Sequence, residues 1–148
     1  ATEPGSVEPA PHVPAADADA PVAEAERMYR EAEAALVDGR LEDAARILER
    51  VSLVARGTSL GGAALMDLAA RRLRLGSPER AAAAYARYLD EQPSGPLRGE
   101  ARISLCRIEA GAGRDVEARR CYAAYLVEYP DGAYADEARR WAGAAGQR

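Results

Sequence analysis

Lysine, asparagine and phenylalanine are absent from the 148 residues, and histidine occurs once, as His12 in a proline-rich stretch. A single histidine excludes a His-based catalytic triad or a multi-histidine metal site within this chain. Two cysteines alone cannot complete a structural zinc site. No apolar run approaches the roughly 20 residues that span a membrane. The chain begins at Ala1 with no visible signal peptide, the pattern expected of a mature chain or an excised domain. β-Branched residues are few, which argues against an all-β domain.

What is present is 35 Ala, 20 Arg and 13 Leu. These residues lose little freedom in a helix, so composition alone points to an all-α fold. Arginine without lysine or asparagine also suggests GC-rich coding and a bacterial source. The charge is unevenly spread. Residues 1–22 carry Glu3, Glu8, Asp17 and Asp19 with no arginine, a balance of −4, and the remainder is neutral but densely charged. A mixed Arg/Glu surface is not the basic footprint of a nucleic-acid binder, so no nucleic-acid partner is expected. With five prolines, residues 1–22 read as a disordered linker that tethers the rest to an upstream domain or anchor.

From residue 23 a repeat of 37 residues sets the architecture. Gly39, Gly76 and Gly113 keep this spacing, as do Ala44, Ala81 and Ala118, then Leu48, Tyr85 and Tyr122. Pro93 and Pro130, Gly95 and Gly132, and the trio Ala64, Ala101 and Ala138 follow it too. Residues 76–102 and 113–139 share 12 identities in 27 positions. Helical periodicity and its stop signals predict helices over 23–38, 41–55, 59–75, 78–92, 97–110, 116–129 and 133–145. Ser77 before Pro78 reads as a helix N-cap, and Asp115 as another. The expected domain therefore covers 23–148, with hairpins at about 23–56, 59–93 and 97–130 and a terminal helix at 133–145. Alanines early in each second helix allow close approach, and stacked hairpins supply the core that one hairpin lacks.

The small–aromatic–proline positions Ala81–Tyr85–Pro93 and Ala118–Tyr122–Pro130 resemble the tetratricopeptide repeat. The Leu–small pairs Leu68–Ala69 and Leu105–Cys106 fit it as well. The resemblance implies an α-solenoid of three hairpins plus a capping helix, seven helices in a right-handed superhelix. Each unit is three residues longer than the usual 34, as in repeats of bacterial envelope proteins. Outer-membrane assembly lipoproteins and the Tol–Pal coordinator are examples, and anti-sigma or FecR-like membrane-anchored regulators carry similar repeats. It implies a non-catalytic module that binds a protein or peptide partner, without cofactor or metal, as monomer or weak dimer. Membrane contact would come only through an upstream anchor. A periplasmic or other extracytoplasmic location is expected, with the cytoplasm as the alternative. The second functional reading is a sensory domain at the end of such a regulator.

First helices of such a solenoid line its concave face. There the alignment places Tyr29, Met66, Leu73, Arg74, Ile103, Arg107 and Arg140, together with Glu26, Glu33, Glu100 and Glu137. Tyr29, Met66 and Ile103 would form an apolar stripe for a peptide or helix, edged by charge. Met66 and Ile103 either line this groove or pack against neighbouring helices, and Tyr29 is the better candidate. Reversing the charge of Arg107 is expected to weaken binding without unfolding the chain. Glu33 and Ala70 stand where a carboxylate-clamp groove would need asparagine, which argues against that activity. No Glu/Asp pair stands out as an acid–base couple.

Cys106 and Cys121 lie symmetrically about Gly113. Two buried thiols acting as small core residues are the preferred reading, and a disulfide is the alternative. Tyr85, Tyr88, Tyr122, Tyr125 and Tyr129 are expected to pack between repeats, and Trp141 to cover the open end. The pairs Arg71–Arg72, Arg119–Arg120 and Arg139–Arg140 are expected in solvated ion pairs, for example Asp136 with Arg140.

Overall fold

The structure, a computed structural model, describes residues 16–143. Seven helices follow in order: α1 (Ala16–Val37), α2 (Leu41–Val54), α3 (Ser59–Arg74), α4 (Pro78–Glu91), α5 (Arg98–Gly111), α6 (Asp115–Glu128) and α7 (Ala135–Gly143). No strand occurs among the described residues. Each helix packs chiefly on the next in the chain. The result is the all-α solenoid expected from the repeat.

The periodic glycines end the first helix of each hairpin. Gly39, Gly76 and Gly113 have φ between +71° and +74°, a left-handed conformation that a side chain disfavours. Each glycine amide donates to the carbonyl three residues back, and the next amide to the carbonyl five back, as in Arg40 N to Ala35 O at 2.8 Å. This pair of bonds is the Schellman motif, and it closes all three hairpins. Nothing lies within 4 Å of a Cβ placed on Gly76. Gly76→Ala should therefore cost only the backbone term, about 1–2 kcal/mol, read as a shift of the denaturant midpoint at constant m.

The same geometry corrects two cap assignments. The cap positions are Arg40, Ser77 and Arg114, with ψ near 70°, and none of their side chains makes a capping bond. Pro78 does open α4, but the Ser77 hydroxyl does not cap it, and Asp115 lies inside α6. The tight turn leaves these residues outside the extended conformation from which a side chain reaches the N2 or N3 amide. A side-chain cap occurs instead at α3, where Thr58 Oγ1 accepts from Gly61 N at 3.2 Å.

A second repeating device joins the units. The Tyr88 hydroxyl accepts a hydrogen bond from Leu97 N at 3.0 Å, and 37 residues on, Tyr125 accepts from Tyr134 N at 3.2 Å. Both rings are buried. Gly95 and Gly132 pass so close that a Cβ would lie 2.4 and 2.5 Å from these hydroxyls. The longer loop of each unit thus holds the tyrosine that anchors the next helix.

Ala44, Ala81 and Ala118 are fully buried, as are Ala64, Ala101 and Ala138, and Leu48, Tyr85 and Tyr122 fill the space beside them. The core divides into two clusters. One runs from α1 to α4 with Ala101 and Ile108, and the other joins α5, α6 and α7 through Ile103, Cys106, Tyr122 and Tyr125.

Helix α1 departs from the expected linker, because it begins at Ala16 rather than after residue 22 and carries Pro21 inside it. Pro21 is the sixth residue of α1, where it forgoes the hydrogen bond to the carbonyl four residues back and its ring crowds that carbonyl. Alanine at 16, 18 and 20 favours helix. The rest of the expected linker, residues 1–15, lies outside the described residues.

Candidate partner-binding groove

Helices α3 and α5 make no extensive direct contact with each other. Between them, closed at one end by the start of α4, lies a cavity of about 520 Å³. Leu73 of α3, Tyr85 of α4, and Glu100, Ser104, Arg107 and Ile108 of α5 line it. Positions 100, 104, 107 and 111 of α5 recur at helical spacing, so a single face of that helix forms one wall. The volume falls within the range of about 300–1,000 Å³ typical of ligand clefts.

Of the residues placed on the concave face, Leu73, Glu100 and Arg107 meet in this cavity. Arg74 and Arg140 are exposed outside it. The expected apolar stripe does not form. Ile103 is completely buried in the α5–α7 cluster, and Met66 is 8% exposed in the α1–α4 cluster. Helical spacing places both on the correct helices. Their rotation toward the core depends on how adjacent helices cross, and spacing alone does not carry that. Tyr29 is half-buried, and its hydroxyl donates to the Asp67 carboxylate. Burial and that carboxylate push its pKa well above the usual tyrosine range. Tyr85, Ser104 and Ile108 were not among the predicted residues. The alignment of Ser104 with Trp141, one unit later, is the signal that could have marked them.

Arg107 holds a structural pairing. Its Nε and a terminal guanidinium nitrogen donate to the two oxygens of Glu137 at 2.9 and 2.7 Å. The Tyr122 hydroxyl donates to Glu137 at 3.1 Å, and the Arg107 guanidinium lies 5.1 Å from the Tyr134 ring centre. Trp141 stacks on Tyr122 with ring centres 5.3 Å apart and an angle of 12°. The five side chains close the end of the solenoid, the role expected of Trp141. Reversing the charge at Arg107 would set two carboxylates against each other and disturb α7, so it is not a clean probe of the groove.

The Arg107 hydrogen bonds hold the Glu137 carboxyl below its ordinary value, and burial lifts the Tyr122 phenol to about 12. A depressed acid stabilises the fold above its unfolded pKa, and the contribution disappears as pH falls through the folded value. On acidification from pH 5 toward 3, α7 should loosen before the first two hairpins. Loss of Trp141 fluorescence anisotropy ahead of the bulk helical signal would show it. Coincident transitions would refute it.

Cys106 and Cys121 form a disulfide, with Cα atoms 5.3 Å apart. This corrects the preference for free thiols. Their counterparts in the preceding hairpin, Ala69 and Ala84, are both buried, so small side chains at this level bring the paired helices within bonding reach. Of the arginine pairs, Arg72 is buried and bonded to Glu49 at 3.2 Å rather than solvated. Asp136 pairs with Arg139 at 2.9 Å rather than with Arg140. Among the described residues, no cluster of His, Cys, Asp and Glu is arranged to hold a metal, and no helix is long and apolar enough to cross a membrane.

The crystal structures of the nearly identical TPR-like repeats of a putative kinesin light chain from Podosopora anserina resemble this fold. One, a single-substitution variant, has a TM-score of 0.59 at 16% identity and the other 0.58 at 16%. Each alignment covers 84% of this chain and 68% of the other. No curated protein matches the chain by sequence. The sequence profile of the tetratricopeptide repeat matches residues 29–96 and again 66–133. Repeats of this kind generally serve as protein–protein interaction modules. The matched segments span most of the solenoid, and the chain belongs to the tetratricopeptide repeat family.

Proposed function

We propose that the chain is a non-catalytic module that holds a peptide or helix of a partner protein in the groove between α3 and α5, on the extracytoplasmic side of a bacterial envelope. The observation that carries the binding role is the cavity itself, whose walls combine apolar Leu73, Tyr85 and Ile108 with polar Glu100, Ser104 and Arg107. An apolar floor supplies affinity and a charged rim sets register. The Cys106–Cys121 disulfide supports an oxidising compartment, since such bonds are rare in reducing cytosol.

A photoreactive residue tests the groove. Placed at exposed Leu73 it should cross-link a partner in cell extract, and placed at Val127, 87% exposed on α6, it should not. Equal cross-linking from both positions would refute the assignment. Alkylation of intact cells tests the compartment. Cys106 and Cys121 should react only after reduction, and labelling of both without reductant would place the chain elsewhere.

A further inference from the structure

Arginine gathers around a second, smaller cavity of about 140 Å³, which lies among α2, α3 and α4 and shares no lining residue with the groove. Arg72 of α3 and Arg80 and Arg87 of α4 line it, with Glu49 of α2 as its one carboxylate. Arg72 is only 5% exposed. Its Nη2 donates to Glu49 at 3.2 Å. Its other guanidinium nitrogens make no hydrogen bond among the described residues, and none of them is closed off from the cavity. A guanidinium has five N–H donors, and burying it with most of them unused is costly.

Arg87 is held from two sides. Its Nε and Nη2 each donate to Glu91 at 3.1 Å, and its Nη1 donates to the buried Ser52 hydroxyl at 3.1 Å. Glu91 also pairs with Arg56 at 3.3 Å, so one carboxylate serves two arginines. Arg80 is exposed and makes no ion pair among the described residues. With Arg56 and Glu91 included, four arginines share two carboxylates, an excess of two positive charges.

Packing of the repeat does not require this cluster. The counterparts of Arg72, Arg80 and Arg87 are Ala35, Asp43 and Arg50 in the preceding unit and Glu109, Glu117 and Ala124 in the next. Only the junction of α2, α3 and α4 brings three arginines to one cavity.

We propose that this cavity is an anion site that takes inorganic phosphate as its monohydrogen dianion. The site is separate from the groove and does not rest on the groove's partner role. Two negative charges match the local excess, and the guanidinium fork suits phosphate oxygens. The volume lies below the roughly 300–1,000 Å³ of ordinary ligand clefts, so it admits a small ion rather than a nucleotide. Glu49 gives the selectivity. A lone carboxylate repels sulfate, which carries no proton, but accepts a hydrogen bond from the P–OH of monohydrogen phosphate.

The probes are inorganic phosphate, sulfate and blocked phosphoserine, titrated at pH 7.5 with ionic strength held constant by chloride and followed by the arginine Nε–H signals. Phosphate should give saturable shifts at Arg72, Arg80 and Arg87 and none at Arg30, which is exposed on α1. Sulfate, and the phosphoserine dianion that lacks a P–OH, should bind about tenfold more weakly. Glu49→Gln should bring sulfate to within about twofold of phosphate. Arg80→Gln should weaken phosphate about threefold and Arg87→Gln about tenfold, with Arg30→Gln unchanged. Ala83 is an exposed lining residue on α4, so Ala83→Glu puts a second carboxylate at the cavity without burying it. This variant should keep its helical signal and lose at least about tenfold in phosphate affinity.

Absence of a saturable shift with phosphate overturns the proposal. Phosphoserine binding tighter than phosphate would assign the site to phosphate esters and overturn the choice of the free ion. Equal affinity for sulfate and phosphate in wild type, or phosphate binding that Arg80→Gln and Ala83→Glu leave unchanged, would mean an adventitious ion only.

Discussion

Reduction, or replacement of both cysteines by serine, should destabilise the third hairpin by about 3 kcal/mol, the loop-closure value for a 15-residue separation. For a solenoid of this size the shift in Tm should be about 10 °C. The loss should not be uniform. In a linear stack each unit contacts only its neighbours, so a local cross-link stabilises its own hairpin first. The α5–α7 core is a cluster separate from that of α1–α4. Hydrogen exchange of α5 and α6 amides should therefore accelerate on reduction, while α2 and α3 stay protected. Uniform acceleration would show that the stack unfolds as one unit. A shift below about 2 °C would show that native strain cancels the entropic gain.

The disulfide also marks where sequence reasoning reached its limit. Gly113 placed the turn, and the turn set Cys106 against Cys121. The separation of two helices depends on the side chains between them, which symmetry about a turn does not reveal. The small residues Ala69 and Ala84 in the neighbouring hairpin were the available hint. The groove shows the same division. A left-handed turn position favours glycine over any other residue, so Gly39, Gly76 and Gly113 fixed the turns inside the hairpins to within about two residues. Ile103 and Met66 were assigned to the correct helices, but a helix turned by one residue position swings a side chain through about 100°. That rotation is set by tertiary packing, and it carries both residues from groove to core. The start of α1 was obscured for a different reason, since Pro21 lies inside the helix, where proline is disfavoured, and reads as a linker residue by composition.

Tyr125 should be among the most sensitive positions in the chain. Its ring is buried against Tyr129 at 5.2 Å and Tyr134 at 6.2 Å, and its hydroxyl receives the Tyr134 amide. Tyr125→Ala removes a buried aromatic and should cost about 3–5 kcal/mol. Tyr125→Phe keeps the ring and leaves the Tyr134 amide unsatisfied, a cost of about 1–3 kcal/mol. The two variants separate packing from hydrogen bonding in the linkage between units. The Phe variant should release α7 selectively, because the lost bond anchors the segment leading into that helix. Trp141 fluorescence should then shift to the red at denaturant concentrations where α1–α4 remain helical. If Tyr125→Phe matched wild type in both stability and Trp141 exposure, the hydroxyl would have no anchoring role. The close approach of Gly132 to it would then be a consequence of loop packing alone.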